Sequence, residues 1–486
     1  MPDVLTAFAL IAAVLTVAAL ASGIVERAPL SFPMIFLGLG ILLGEHGFDL
    51  INIAPDDATL EVIATISLAL VLFLDAVNFK IDELGDNWML PALALGPGTL
   101  LTILIVTGGA VFLLGASWTQ GLLFGAILSS TDPVVLRDIT RDRRIPRSVR
   151  RALSIEAGTN DIVVLPTVLV LIAVLNSEAS GALDWATLLA KLLLIGPIVG
   201  VVVGAAGAWL MSKADGHYSI RREYQALYGI GLVLAAYTAA TAVGGDGFLA
   251  AFAAGIAVTA FNFELCDCFL EYGETTAEMA MLVAFVLFGA VISELTGSIS
   301  IGLALIFALL VVGIARPLSF GLVLQRANIS RPALGFIAWF GPRGLNSLLL
   351  ALLVIHAEVA EAEWMLAITG IVVLVSVVVH GASATPLARW YGNRVASETL
   401  AEEREGTATG LFKSGDPPQS IPRMSVEELS QRLASDNPPV VLDVRTRSQY
   451  DADGAQIPGS VRVLPDEISA WAESHDREHL IVAYCT

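Results

Sequence analysis

The chain has 486 residues, of which 56% are apolar and 15% charged. A soluble globular chain is about 45–50% apolar and about 25% charged, so an ordinary soluble enzyme and a disordered protein are both excluded. Lys and Arg number 27, Asp and Glu 46, and the net charge is −19. That excludes a nucleic-acid partner, because phosphate binding needs a basic surface.

Apolar blocks of about 20 residues read as membrane-spanning helices. The first runs over about 4–25 and a second follows at once over about 29–45, so no cleavable signal peptide stands out. The third, about 59–79, carries Asp75 inside Val71-Leu-Phe-Leu-Asp-Ala. After a fourth over about 89–114, the fifth, about 119–137, holds Thr131-Asp132-Pro133 at mid-span. Proline removes one backbone donor and frees the carbonyl one turn earlier, so this helix is expected to break.

The sixth span, about 150–176, places Glu156, Asn160 and Asp161 at i, i+4 and i+5, which sets two carboxylates and an amide towards one groove. Oxygen ligands of this kind suit a hard cation. Spans seven to ten cover about 186–212, 224–243, 247–262 and 276–295, with an acidic loop from Glu264 to Glu274 between the last two. Cys266 and Cys268 lie in that loop without a second Cys or His pair, so a metal site there is not expected, and three cysteines make no disulfide framework. The eleventh span, about 299–325, contains Arg316. The twelfth, about 331–356, is interrupted by Gly341-Pro342-Arg343-Gly344, and the thirteenth covers about 364–388.

Six ionisable groups inside apolar spans would cost roughly 15–20 kcal/mol if unpaired, at about 2.5–3.5 kcal/mol each. Asp75, Asp132, Glu156, Asp161, Arg316 and Arg343 must therefore pair, face water or change protonation. Glu156 with Arg316 reads equally well as a purely structural pair. Asp161 is left without a third basic residue to neutralise it. An Asp near exposed half-helix N-termini and an Arg near exposed C-termini would each offset a local dipole. Two broken helices seven spans apart fit an inverted repeat of transporter type, in which the carbonyl freed near Thr131 becomes a further cation ligand.

Arginines 137, 141, 143, 144, 147, 150 and 151 put the loop between spans five and six in the cytoplasm. Alternation then places the N-terminus outside and the C-terminus inside. The composition changes near residue 395: 24 of the last 92 residues are charged, against 49 of the first 394. This predicts a membrane domain over 1–394, a Glu-, Gly- and Pro-rich linker over 395–419, and a soluble domain over 420–486. In that tail Val440-Val-Leu-Asp-Val-Arg445 reads as a strand ending in charge, Gln456-Ile-Pro-Gly-Ser460 as a turn, and Leu480-Ile-Val-Ala-Tyr-Cys485 as a buried strand, giving an α/β fold.

Thr131-Asp132-Pro133, Glu156 with Asn160-Asp161, Phe252-Ala-Ala-Gly255, Phe285-Val-Leu-Phe-Gly289, Ala315-Arg316-Pro317, Phe340-Gly-Pro-Arg-Gly344 and His380-Gly-Ala-Ser-Ala-Thr-Pro386 together resemble the monovalent cation:proton antiporter family 1, its NhaP-like bacterial sodium/proton antiporters in particular, over about residues 4–392. The resemblance implies an all-α polytopic fold of about 13 helices with inverted repeats and two crossed, interrupted helices. It also implies a separate dimerisation domain and a homodimer in the cell inner (plasma) membrane. It implies Asp161 as the carboxylate that carries Na⁺ or a proton, Thr131 as a backbone-carbonyl ligand, Asp132 as the balance to the crossed helices, and Asn160 as the residue that orients the site. Glu156 would pair with Arg316, Arg343 would sit at the second break, and Asp75 would lie at the mouth of the ion site. Some relatives have Ser where this chain has Ala157, so water or Thr159 is expected to supply the missing hydroxyl. With Asn at 160 leaving one less carboxylate to titrate, the resemblance implies electroneutral exchange of a monovalent cation, Na⁺ first and Li⁺ or K⁺ as alternatives, for H⁺ in pH homeostasis, with no cofactor.

The tail resembles a rhodanese domain, which implies a structural role for Asp443 and Arg445 and places Cys485 where the sulfur-carrying nucleophile would sit. Gln456 stands where family members often have His. Because the sequence stops at Thr486, this partial domain is expected to be inactive as a sulfurtransferase, leaving the chain a transporter and not an enzyme; whether the sequence is a fragment stays open. The rival readings are a cation channel through the same groove and a potassium/proton antiporter regulated by the tail. An intramembrane aspartyl protease fails because Val243 breaks the Gly-x-Gly-Asp order at Gly244-Gly-Asp246, and no His-Glu-x-x-His zinc motif exists. A membrane anchor for the tail would not need six internal charges.

Overall fold

The computed structural model describes residues 31–78, 89–142, 144–178, 181–261, 263–327 and 329–397. In the tail it describes 424–434, 438–447, 450, 455–464, 467–475 and 480–484, with residues 12, 16, 17 and 20 near the start. The side chains of 264–272 and of 274 are not described. Apart from those four positions the first predicted span lies outside the described residues, as do Cys485 and residues 398–419 of the predicted linker.

The helices follow the apolar blocks in order. They are α1 (Phe32–Leu43), α2 (Ala58–Asn78), α3 (Met89–Leu114), α4 (Trp118–Ile127), α5 (Pro133–Arg141), α6 (Arg147–Leu175) and α7 (Ala182–Tyr218). Then come α8 (Arg222–Ala242), α9 (Gly247–Phe261), α10 (Phe263–Leu295), α11 (Ile301–Arg326), α12 (Arg331–Trp339), α13 (Leu345–His356) and α14 (Ala362–Ser397). Among the described residues eight helices are long and apolar enough to cross a membrane, with α1, α9 and α13 shorter. Two expectations change. The stretch from Glu264 to Glu274 is the first part of α10 and not a loop. It contains no proline to stop a helix, and the helix simply continues beyond the apolar length. Likewise α14 continues to Ser397, so the first three residues assigned to the linker are helical.

Local chemistry explains where the helices start, stop and widen. Gly115, in the left-handed region at φ 74°, ends α3. Two residues later Ser117 and Gln120 form a reciprocal cap that starts α4: Ser117 Oγ accepts from the Gln120 backbone at 3.3 Å, and Gln120 Oε1 from the Ser117 backbone at 3.0 Å. Wide π-turns occur at Ala94–Gly98, Lys191–Ile195 and Val311–Ala315. Pro97, Pro197 and Pro317 stand in or just after them. Each proline offers no N–H and crowds the preceding turn, and the helix takes in an extra residue there.

The chain divides into two compact units. The first comprises Met1–Arg137, Leu153–Leu324 and Ala338–Ala384; the second comprises Asp138–Ala152, Gln325–Ile337 and Thr385–Thr486. Within the first unit α1, α2 and α7 to α10 pack on one another, α3, α4, α6 and α11 form a second group, and α13 lies between the two, against α2 and α10 on one side and α4 and α6 on the other. Helices approach closely through small residues, as lipid-embedded helices do. A Cβ added at Gly40 of α1 would strike the Val286 carbonyl of α10, and one added at Gly289 would strike Leu37.

In the second unit the tail forms helix α15 (Val426–Leu433) and a three-stranded parallel sheet of β1 (Val440–Asp443), β2 (Val461–Arg462) and β3 (Ile481–Tyr484), in the order β2-β1-β3. Helix α16 (Ile468–Glu473) connects β2 to β3. Leu442, Val444 and Val463 form its small core against Ile468 and Trp471. At the end of β1, Arg445 grips the buried Asp443 with Nη2 at 2.6 Å from Oδ2 and Nε at 2.9 Å from Oδ1. Burial opposes the charge on Asp443, but the hydrogen bonds from Arg445 and Tyr484 and the Arg462 charge together outweigh it and hold the carboxyl down at about 2.

Because the carboxyl is depressed in the fold, the stabilisation is complete above about pH 4, the value for a free carboxyl, and is lost as pH falls through about 2. Removing one partner of a buried ion pair costs about 3–5 kcal/mol. Arg445→Leu is expected to make the tail of the full-length, detergent-solubilised chain sensitive to limited proteolysis at neutral pH, with the membrane part left intact. Unchanged protection would remove this pair as the tail's staple.

Candidate functional site

The two breaks cross. In the first, residues 128–132 run unwound between α4 and α5; in the second, residues 340–344 run unwound between α12 and α13. Asp132 N donates to Pro342 O at 2.9 Å where the strands pass. The crossing leaves two helix N-termini, α5 and α13, pointing at one place. Asp132 meets both: Oδ1 accepts from Val134 N and Oδ2 from Leu345 N, each at 2.8 Å. The approach requires glycine, because a Cβ at Gly344 would overlap the Asp132 carboxylate.

The opposite dipole is met by Arg343. At the carbonyl end of α4 its Nη1 lies 3.3 Å from Ser129 O and 3.4 Å from Ser130 O, and it donates to Thr131 Oγ1 at 3.1 Å. The charges therefore sit where half-helix ends require them. Glu156 is engaged elsewhere. Arg316 binds it in a two-pronged pair, Nη1 to Oε1 at 2.8 Å and Nη2 to Oε2 at 3.0 Å, and Thr131 Oγ1 donates to Oε1 at 3.1 Å. The π-turn just before Arg316 and the Phe320 ring, 3.9 Å from the guanidinium, orient the arginine. Gly341 gives it room, since a Cβ there would overlap the guanidinium.

Asp161 differs from the other charges. It is 4% exposed and is held by two neutral donors: Ser130 Oγ to Oδ1 at 2.8 Å and Asn346 Nδ2 to Oδ2 at 2.8 Å. Among the described residues no basic group pairs with it. Among the described residues Asn160, fully buried beside it, has no partner for either amide atom, and Asp75 has none for Oδ2. Asp75 lies against α6 over Gly158, where an added Cβ would be 3.9 Å from Oδ1. The Thr159 hydroxyl is given to Ile155 O of its own helix; the hydroxyl that reaches Asp161 comes from Ser130. The structure thus brings Thr131, Asp132, Glu156, Arg316 and Arg343 into one network around the crossing, joined to Asp161 through Ser130, while Glu156 and Asp161 serve different partners.

Ser130 and Asn346 are not among the residues that charge marks in the sequence, since both are neutral. The signal that points to them is position, as polar residues beside the two breaks in apolar spans.

A family model described as "Sodium/hydrogen exchanger, transmembrane" matches residues 12–390, and one for a rhodanese-like domain matches 425–486. The chain is 29% identical over 372 residues to the K(+)/H(+) antiporter NhaP of Alkalimonas amylolytica, covering 75% of this chain and 63% of that protein. It is 30% identical over 417 residues to K(+)/H(+) antiporter NhaP2 of Shewanella oneidensis, covering 83% of this chain and 70% of the relative. The chain thus spans less than two thirds of NhaP. The solved structure of the sodium proton antiporter MjNhaP1 from Methanocaldococcus jannaschii shares the fold, with a TM-score of 0.65 at 22% identity over 78% of this chain and 99% of that one.

The geometry fixes the outcome of breaking the inner ion pair. Glu156→Gln leaves Arg316 a buried, unneutralised cation, at a cost of about 3–5 kcal/mol. The variant is expected to melt well below the parent in detergent, and Asp161→Asn, which removes no ion pair, is expected to melt close to it. Equal melting of all three would show that the Glu156–Arg316 pair does not hold the crossing.

Proposed function

The chain belongs to the sodium/hydrogen exchanger family, and on that premise we propose that it is a secondary antiporter in which a monovalent cation and a proton compete for Asp161. The observation that carries this reading is the neutral cradle of that carboxylate. Of the charges at the crossing, Asp132 is answered by two helix N-termini, Glu156 by Arg316, and Arg343 by helix-end carbonyls. Asp161, in the midst of that network, has only neutral donors, and with Asp75 nearby it calls for a mobile positive partner. Ser130 and Asn346 aim it, the Asn160 amide and Asp75 offer further oxygens, and a freed carbonyl near Thr131 completes a set of hard donors suited to Na⁺. Both oxygens of Asp132 are engaged by backbone N–H groups, so we place it as the counterweight to the dipoles and not as a direct ligand.

The exchange needs no separate coupling device. Asp161 holds a proton or a cation, never both. With either, the site can be carried between inward- and outward-open states; bare, it would drag a charge past apolar walls, at a cost of several kcal/mol. One titrating carboxylate, with Asn at 160, gives one cation for one proton and therefore electroneutral exchange. The arginines between 137 and 151 favour a cytoplasmic C-terminus in the plasma membrane, with the chain acting as a homodimer in pH homeostasis. A second reading, K⁺ in place of Na⁺, is favoured by the names of the NhaP and NhaP2 relatives.

Reconstituted into liposomes with a pH-sensitive dye, the chain should dissipate a preset proton gradient when Na⁺, Li⁺ or K⁺ is added, and the order of the three settles the cargo. Asp161→Asn should reduce the response to that of empty vesicles. Intact exchange in that variant would remove Asp161 as the carrier, and ion conduction without proton movement would turn the reading to a channel.

Competition at one carboxylate also fixes a kinetic signature. As pH falls, the apparent KM for the cation should rise while the rate at saturating cation holds. A rate at saturation that falls with pH at constant KM would require a proton site apart from Asp161.

A further inference from the structure

The second break has ties that the exchange reading does not use. Ser376, His380 and Ser383 lie at i, i+4 and i+7 on α14, one face of the helix. All three reach the stretch from Trp339 to Arg343. Ser376 Oγ accepts from Arg343 N at 2.7 Å, His380 Nε2 lies 3.1 Å from Trp339 O, and Ser383 Oγ accepts from Trp339 Nε1 at 3.0 Å. Trp339 is the last residue of α12, so its carbonyl has no donor from the helix beyond. Ser376 and His380 are both buried, and a carbonyl left unpaired there would cost free energy.

The hydrogen positions follow from the network. His380 Nδ1 lies 3.1 Å from Ser376 Oγ and 2.9 Å from Ser376 O. Trp339 O and Ser376 O can both only accept, and a neutral ring serves one of them. Ser376 O already takes the helical bond from His380 N, so the proton is assigned to Nε2, where it serves the Trp339 carbonyl that the helix leaves unpaired. The Ser376 hydroxyl can then donate to Nδ1 while its oxygen accepts from Arg343 N. A neutral ring protonated at Nε2 thus completes a directed chain from Arg343 N through Ser376 and His380 to Trp339 O. Beyond it, Arg343 reaches the Ser129 and Ser130 carbonyls, and the Ser130 hydroxyl reaches Asp161.

We propose that the Ser376–His380–Ser383 face of α14 is the anchor of the second break, and that His380 is a positioning residue for Asp161, acting through Ser376 and Arg343. This rests on the reading of Asp161 as the carrier. The His380 ring touches neither cargo nor proton; it holds the guanidinium of Arg343 against the Ser130 carbonyl and so sets the aim of the Ser130 hydroxyl.

The test is the split between KM and maximal rate in the liposome assay. His380→Leu should raise the apparent KM for the cation about tenfold, the effect of one lost hydrogen bond at about 1.4 kcal/mol, with the maximal rate per folded protein little changed. His380→Gln should restore KM to within about twofold, because its amide can donate to Trp339 O and accept from Ser376 Oγ. Ser376→Ala, which keeps the ring but removes the link to Arg343, should raise KM in the same direction and serves if His380→Leu does not fold. A lower maximal rate at unchanged KM in both variants would make the stripe a packing feature and overturn the proposal. If the parent itself does not exchange, the antiport reading of Asp161 fails at that point, and nitrogen NMR of labelled histidine still decides the anchor, with His380→Gln identifying the signal. A neutral ring protonated at Nε2 supports the relay; protonation at Nδ1 overturns it.

Discussion

Two half-helices end their runs on the same carboxylate. Asp132 receives the first N–H groups of α5 with one oxygen and of α13 with the other, and its own N–H closes the crossing on Pro342 O. In lipid no water is available for the backbone groups that the breaks release, and each buried orphan would cost about 1–3 kcal/mol. A single short acid at the crossing, set against the glycines of the second break, answers several of these groups at once. A longer side chain would not fit against Gly344, and a neutral one would not balance two positive helix ends. Ser130 lies two residues before Asp132, and Asn346 one residue beyond Leu345, so the position of both donors to Asp161 is inherited from this crossing.

The two arginines of the network neutralise different groups. Arg343 answers the carbonyl end of α4, and Arg316 answers Glu156 with two parallel hydrogen bonds. Two-pronged pairing is the strongest form available to a buried carboxylate, which makes Glu156 a poor partner for a transient ion. Asp161 has only a hydroxyl and an amide, and neutral donors orient a carboxylate without cancelling its charge. The difference between a structural acid and a carrier acid is thus set by the partners on other helices, while both stand on α6 five residues apart.

Much of this was legible in the sequence, for a physical reason. Apolar length reports helices that must bury their backbone in lipid, and a charge inside such a helix is too expensive to be incidental, so Asp75, Asp132, Glu156, Asp161, Arg316 and Arg343 all stood out. Proline beside a charge marked both breaks. What spacing could not report was partnership. Helical periodicity put Glu156 and Asp161 near one face, but Arg316 comes from α11 and Asn346 from α13, contacts decided by packing between segments far apart in the chain. Neutral side chains such as Ser130, Asn346 and Ser376 carry no insertion penalty large enough to mark them. The start of α10 was missed because a polar stretch ends an apolar run without ending a helix.

The packing also bears on how the proposed exchange can proceed without dismantling its own site. The crossing, the Glu156–Arg316 pair and the cradle of Asp161 are all built from α4, α6, α11, α13 and the two breaks, with α14 tied to the second break by hydrogen bonds from Ser376, His380 and Ser383. The helices α1, α2 and α7 to α10 form their own bundle, closed by glycine and alanine contacts. Where α13 meets α2 and α10 the two bundles touch, and Asp75 on α2 faces α6 across that boundary without a hydrogen bond to its Oδ2. A displacement along this boundary would break no ion pair of the central network, since Glu156, Arg316, Asp132 and Arg343 travel together. It would change what Asp75 and Asp161 present to one another and to water. The dense network therefore makes the carrier rigid, and the boundary beside Asp75 is where the motion that alternating access requires can occur at least cost.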